Sequence, residues 1–191
     1  MYERMLDNVR RRIDLNPEEE AFFCSLLHRR TVRKRQFLLQ EGDVCRYEYF
    51  VDSGCLRAYT IDAKGAEHVL QFAVEDWWIG DMNSFITQSP ARLAIDALED
   101  SEVLCMDKAS WDLLFERVPK FERFFRILLQ RAFITLQERV VSAMSDTAEE
   151  RYRQFRERYP QLEQRVPQRQ IASYLGITPE SLSRIRKQRM K

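Results

Sequence analysis

The sequence predicts an α+β chain: a compact β-rich body, then a long apolar helix, then a small helical head at the C-terminus. Three observations carry this. From about Thr31 to Lys108, short segments rich in Val, Ile, Phe, Tyr and Leu alternate with turn signals at Glu41-Gly42-Asp43, Asp52-Ser53-Gly54, Asp62-Ala63-Lys64-Gly65, Gly80-Asp81 and Ser89-Pro90. A spacing of roughly ten residues suits an antiparallel roll or sandwich. From Pro119 to Met144 no Gly or Pro interrupts a helical stretch, and from Val166 onward two short amphipathic helices are joined by Gly-Ile-Thr.

The elements follow in order. A first helix is predicted to start at Asn16-Pro17-Glu18-Glu19, where Asn16 caps, Pro17 suits the first turn and the glutamates complement the helix dipole. Ala21, Phe22, Phe23 and Leu26 are its expected buried face, and His28 its end. Strand alternation shows in Cys55–Ile61 and Val69–Val74, and Trp77 and Trp78 read as core. In the long helix, apolar residues cover most of the circumference, so burial on more than one side is needed. One side packs on the β body. The seven-residue spacing Ile127, Ile134, Val141, flanked by Phe124 and Leu128, suits a seam with a second copy of the chain. A charged helix over 148–158 then stops at Tyr159-Pro160. The expected division is a sensor body over 1–117, a dimerisation helix over 118–145 and a head over 146–191.

Composition fits a globular chain, with 45% hydrophobic and 32% charged residues. The apolar run Phe124–Leu129 is broken by arginine well short of a membrane span, and the N-terminus lacks a basic-then-apolar leader, so a cytoplasmic protein is expected. Four scattered cysteines (Cys24, Cys45, Cys55, Cys105) without a CxxC pair read as free thiols, not as metal or iron–sulfur ligands. The net charge of +1 hides an asymmetry. Residues 161–191 carry Arg165, Arg169, Arg184, Arg186, Lys187, Arg189 and Lys191 against Glu163 and Glu180, a net +5 on a body of −4. A basic end on an acidic body suits contact with a polyanion.

The head meets the steric demands of a helix-turn-helix. Ala172 supplies the small residue where the second helix crosses, and Gly176, four positions on, the turn residue tolerant of positive φ. Ile171, Leu175, Ile177, Leu182 and Ile185 form the apolar lock. Thr178 caps the second helix and Pro179 opens it. With Leu182 and Ile185 inward, Glu180, Ser181, Arg184, Lys187 and Gln188 face out, and the start of such a helix enters the major groove. Arg184 then suits guanine, Glu180 a cytosine amino group and Ser181 a base edge or phosphate. Ser183, Arg186, Arg189 and Lys191, with Gln168 and Arg169 on the first helix, suit phosphates.

In this order of elements the chain resembles the CRP/FNR family of transcription regulators over essentially its full length. The stretches Ala73–Phe85 and Ala97–Val103 look like the short variant common in Bacteroidetes. The resemblance implies a double-stranded β-helix of the cyclic-nucleotide-binding type as sensor, a homodimer through the long helix, and a palindromic DNA operator read by residues 178–190. It also implies RNA polymerase as a partner and a small-molecule effector in the roll. Family members usually continue into a β wing after the second helix, whereas this sequence stops at Lys191, so no wing is expected and DNA binding should lean on dimerisation.

The family's nucleotide cassette reads Gly-Glu-Leu, then Arg-Ser/Thr-Ala. Here the candidate effector pocket carries Gly80, Asp81 and Met82, then Ala91, Arg92 and Leu93. The carboxylate is one methylene shorter, the arginine lies about one position off, and no hydroxyl follows it. Each missing charge-assisted hydrogen bond to a phosphate forfeits roughly 1.5–3 kcal/mol, so a cyclic nucleotide is not the expected ligand and no cofactor is assigned. An enzyme is not expected either. Only His28 and His68 are present, without a triad, a phosphate-cradling glycine loop or paired carboxylates. The remaining alternative is a ligand-binding module whose helical tail contacts protein instead of DNA.

Overall fold

The computed structural model describes residues 2–189. Among them run, in chain order, helices α1 (Glu3–Arg10) and α2 (Pro17–Ser25), then strands β1 (His28–Val32), β2 (Phe37–Leu39), β3 (Tyr47–Ser53), β4 (Leu56–Ile61), β5 (Glu67–Ala73) and β6 (Trp78–Ile79). Helix α3 (Met82–Thr87), strands β7 (Ala94–Ala97) and β8 (Ser101–Asp107), and helices α4 (Lys108–Arg117) and α5 (Lys120–Ser145) follow. The chain ends in α6 (Ala148–Arg158), α7 (Leu162–Arg165), α8 (Gln168–Leu175) and α9 (Pro179–Arg189). Two compact units form. One takes the chain up to Ala58 together with Gln71–Arg131; the other takes Tyr59–Leu70 together with the chain from Ala132 onward. The tip of the β4–β5 hairpin thus falls in the same compact unit as the chain from Ala132 onward.

The strands make two four-stranded sheets, ordered β1-β8-β3-β6 and β2-β7-β4-β5. The β1–β8, β3–β8, β3–β6 and β2–β7 pairings are antiparallel. The first unit's core draws Phe50, Val51 and Leu104 from one sheet and Leu39, Leu56 and Ile95 from the other, which is the two-layer roll expected. The long helix starts inside this core. Phe121 and Phe124 are fully buried, and Phe124 and Phe125 meet the Trp78 ring at 6.3 and 5.3 Å. Trp78, like Trp77, is partly buried and packs against this core.

Several expectations need correcting. The helix capped by Asn16 is the second, not the first: α1 precedes it, burying Met5, Leu6 and Val9 on one stripe. The cap itself forms, with Glu19 N–H donating to Asn16 Oδ1 at 2.8 Å and Asn16 N–H donating to Glu19 at 2.9 Å. Of its predicted buried face only Phe23 is fully covered; Ala21 is exposed. His28 opens β1 and does not end a helix. Gly80-Asp81 leads into α3, with Asp81 as its N-cap, and Asp107 caps α4, a helix the sequence reading passed over.

Candidate nucleic-acid interface

The head is built as its sequence pattern requires. Helix α8 ends at Gly176, whose φ of +66° lies in the left-handed region. A Cβ there would find its nearest neighbour at 3.8 Å, so backbone conformation, not crowding, calls for glycine. Thr178 Oγ1 accepts from Ser181 N–H at 3.2 Å and starts α9. Ala172 and Leu182 are completely buried, with Ile171, Leu175 and Ile185 nearly so. The sequence reading missed a third side to this core. On α6, Tyr152 and Phe155 are buried, and beyond its end Tyr159 forms a ring cluster with Phe155 and Tyr174 at 5.4 to 6.0 Å. Aromatics at 152, 155 and 159, one helical stripe, were the available signal.

The predicted reading residues fall on one exposed helix face. Glu180, Arg184, Lys187 and Gln188 are exposed, Ser181 and Ser183 half-exposed, and Gln168 and Arg169 stand exposed at the start of α8. Arg184 reaches back to Ser181 Oγ at 3.4 Å, a long bond that leaves its guanidinium displaceable. Arg186 has an ion-pair partner within the head. Its Nε lies 3.8 Å from Glu163, which also takes Arg156 at 2.9 Å and the Tyr152 hydroxyl. Lys191 and the side chain of Arg189 lie outside the described residues.

The long helix presents the second expected surface. Past its buried start, Leu129, Phe133, Ile134, Leu136, Val140, Val141 and Met144 are 47 to 83% exposed. Ile134 and Val141 were anticipated. Leu129, Phe133, Leu136 and Val140, spaced by four, three and four residues, form a second exposed apolar register. Phe124 is enclosed in the core of the first unit, and Ile127 and Leu128 are half-buried.

The third candidate, the effector cassette, is internally braced. Asp81 Oδ1 accepts from Ser84 N–H at 3.1 Å and its Oδ2 from Arg92 N–H at 3.2 Å, tying α3 to the Ala91–Leu93 segment. The Arg92 side chain is exposed, Ala91 is buried, and Met82 and Leu93 are half-buried. Glu48, which the sequence did not single out, packs against Gly80, where a Cβ would sit 2.2 Å from its carboxylate. Glu48 is 3% exposed, its Oε1 has no hydrogen-bond partner among the described residues, and burial, with Asp81 nearby, pushes its carboxyl up to about 8. A second buried group in this unit is an ion pair. Arg57 on β4 donates to both oxygens of Asp96 on β7 at 2.7 and 2.8 Å. Cys45, Cys55 and Cys105 are buried free thiols, with burial pushing the Cys45 thiol up to about 11, and no cluster able to hold a metal occurs among the described residues.

Residues 29–118 match the Cyclic nucleotide-binding domain family. The chain is 27% identical to the Anaerobic regulatory protein of Haemophilus influenzae over 185 residues, covering 90% of this chain and 70% of that one. It is 28% identical to the Fumarate and nitrate reduction regulatory protein of Vibrio cholerae, covering 90% and 72%. Among solved structures, the c-di-GMP responsive global regulator CLP of Xanthomonas campestris superposes with a TM-score of 0.75 at 16% identity, covering 92% of each chain. These relatives are regulators, not enzymes, and among the described residues no helix is long and apolar enough to cross a membrane.

Proposed function

Because the chain belongs to the CRP/FNR family of transcriptional regulators, we propose that it works as a cytoplasmic homodimer whose two α9 helices read the half-sites of a palindromic operator. The observation that carries this is the head itself: a buried Ala172–Leu182 crossing that turns Glu180, Ser181, Arg184, Lys187 and Gln188 outward on one face. Gln168 and Arg169 fix register on phosphates, and Arg184 reads a base. The β-roll takes an effector other than a cyclic nucleotide, since Asp81, which stands where the family's cassette has its glutamate, is spent on two backbone amides. An effector acts only by binding the DNA-competent arrangement more tightly than the other. Contact with RNA polymerase follows the same family logic.

Selection of bound genomic fragments recovers the operator, and its affinity should fall steeply with added salt as counterions are released. Replacing Arg184 by Ala is expected to weaken operator binding roughly 5- to 150-fold, the value of a good bidentate base contact, while random duplex loses far less. Equal loss on both would remove Arg184 as a base reader; salt-insensitive or absent duplex binding would favour the protein-contacting alternative.

The second copy is placed on the exposed half of α5. A Phe133→Asp, Val140→Asp double variant is expected to sediment as a monomer with its sensor fold retained, because charges in an apolar seam are desolvated without partners. A variant mass equal to that of a wild-type dimer would move the interface elsewhere.

A further inference from the structure

In the second unit the β4–β5 hairpin tip is bonded directly to the first helix of the helix-turn-helix. Strand β5 ends the order of its sheet, so one of its edges has no neighbouring strand. Ser173 supplies the missing partner with a single hydroxyl: Val69 N–H donates to Ser173 Oγ at 3.0 Å, and Ser173 Oγ donates to Glu67 C=O at 2.5 Å. Donor and acceptor two residues apart on one strand point to the same side, so the serine stands in for a rung of sheet. One turn earlier on α8, Gln170 Nε2 donates to the Glu67 carboxylate at 3.2 Å. From the long helix, Arg139 donates to Leu70 C=O and, at 3.1 Å, to Tyr174 C=O, with its guanidinium 4.0 Å from the centre of the Tyr174 ring. Hairpin tip, long helix and α8 therefore meet at one polar junction.

The placement on α8 gives the junction its meaning. Ala172 is the buried residue at the crossing with α9, and Ser173, the next residue, turns about 100° away to the hairpin. Fixing Ser173 fixes the helix on which α9 rests, while Gln168, Arg169 and the reading face of α9 stay exposed. The clasped arrangement is thus compatible with a bound duplex.

We infer that Ser173, supported by Gln170 and Arg139, is a positioning residue for DNA reading: it clasps the head to the free edge of β5 and so presets the angle at which α9 meets the groove. This rests on the DNA-binding reading above. It involves no phosphate contact, so it affects specific recognition and leaves the electrostatic part of binding unchanged.

The test uses the full chain with Ser173→Ala, Ser173→Thr and Gln170→Ala variants, the operator duplex recovered by selection, and a random duplex of equal length. In Ser173→Ala, hydrogen exchange at the Val69 amide of the DNA-free protein should accelerate. Operator affinity should fall about tenfold, in keeping with two lost hydrogen bonds. Random-duplex affinity and the salt slope should hold, and Ser173→Thr should restore both readouts. Gln170→Ala, which spares the hydroxyl, should give a smaller loss of operator affinity in a folded head. Unchanged Val69 exchange in Ser173→Ala, or faster exchange with wild-type operator affinity, would overturn the proposal. A wild-type chain that binds no duplex overturns the DNA reading instead, and the exchange measurement, which needs no DNA, tells the two apart.

Discussion

Replacing Asp96 by Ala is expected to destabilise the sensor unit by about 3–5 kcal/mol, measured by urea unfolding. The side chains of Arg57 and Asp96 are 7% and 10% exposed, so removing the carboxylate leaves a guanidinium that cannot recover its hydration. The loss belongs to the buried guanidinium deprived of this carboxylate more than to the pair. Replacing both at once, Arg57→Met with Asp96→Leu, should therefore recover most of it, because a buried pair scarcely outweighs an apolar pair of similar volume. A loss from Asp96→Ala within about 1 kcal/mol of zero would mean that water reaches Arg57 and that the pair is not sealed.

The second large effect is on pH. Glu48 holds its proton up to about 8 in the folded chain against an ordinary value of 4.5. Between those values the folded state binds more protons than the unfolded state, so stability falls as pH rises. The contribution of the buried neutral acid is fully present below about 4.5 and is lost toward 8. The slope is at most about 1.4 kcal/mol per pH unit, accumulating to roughly 4 kcal/mol across the window. Glu48→Gln, which carries no titrating group, should flatten this part of the stability curve and gain on the wild type toward neutral and alkaline pH. A wild-type curve with the same slope as the variant between pH 5 and 8 would mean that Glu48 is not held neutral.

How much of this was legible in the sequence depends on the range of the interactions. The helix-turn-helix could be read residue by residue because its code is local: Ala172, Gly176, Thr178 and Leu182 act within ten positions of one another. The capping box at Asn16–Glu19 was legible for the same reason. Glu48 was not. Between Tyr47 and Tyr49 it looks like the solvent side of an alternating strand, yet β3 lies inside its sheet and is covered on both faces. Arg57–Asp96 spans two strands whose register only the folded chain sets. Helix α1 was missed because its apolar stripe of Met5, Leu6 and Val9 is short and set among charged residues. On α5 apolar residues sit in two registers at once: Ile134 and Val141 are as exposed as Leu129, Leu136 and Val140, so periodicity alone does not choose between them.

On the hairpin side, the Ser173 bonds end on the Val69 amide and the Glu67 carbonyl, which every non-proline residue carries. These two bonds therefore survive a change of side chain at either hairpin position, as long as the strand persists, while the Glu67 carboxylate keeps its separate bond to Gln170. On the α8 side both bonds depend on one hydroxyl, so the constraint they impose is one-sided: it falls on the side chain at 173, while on the hairpin the change it excludes is proline at 69, which lacks the N–H.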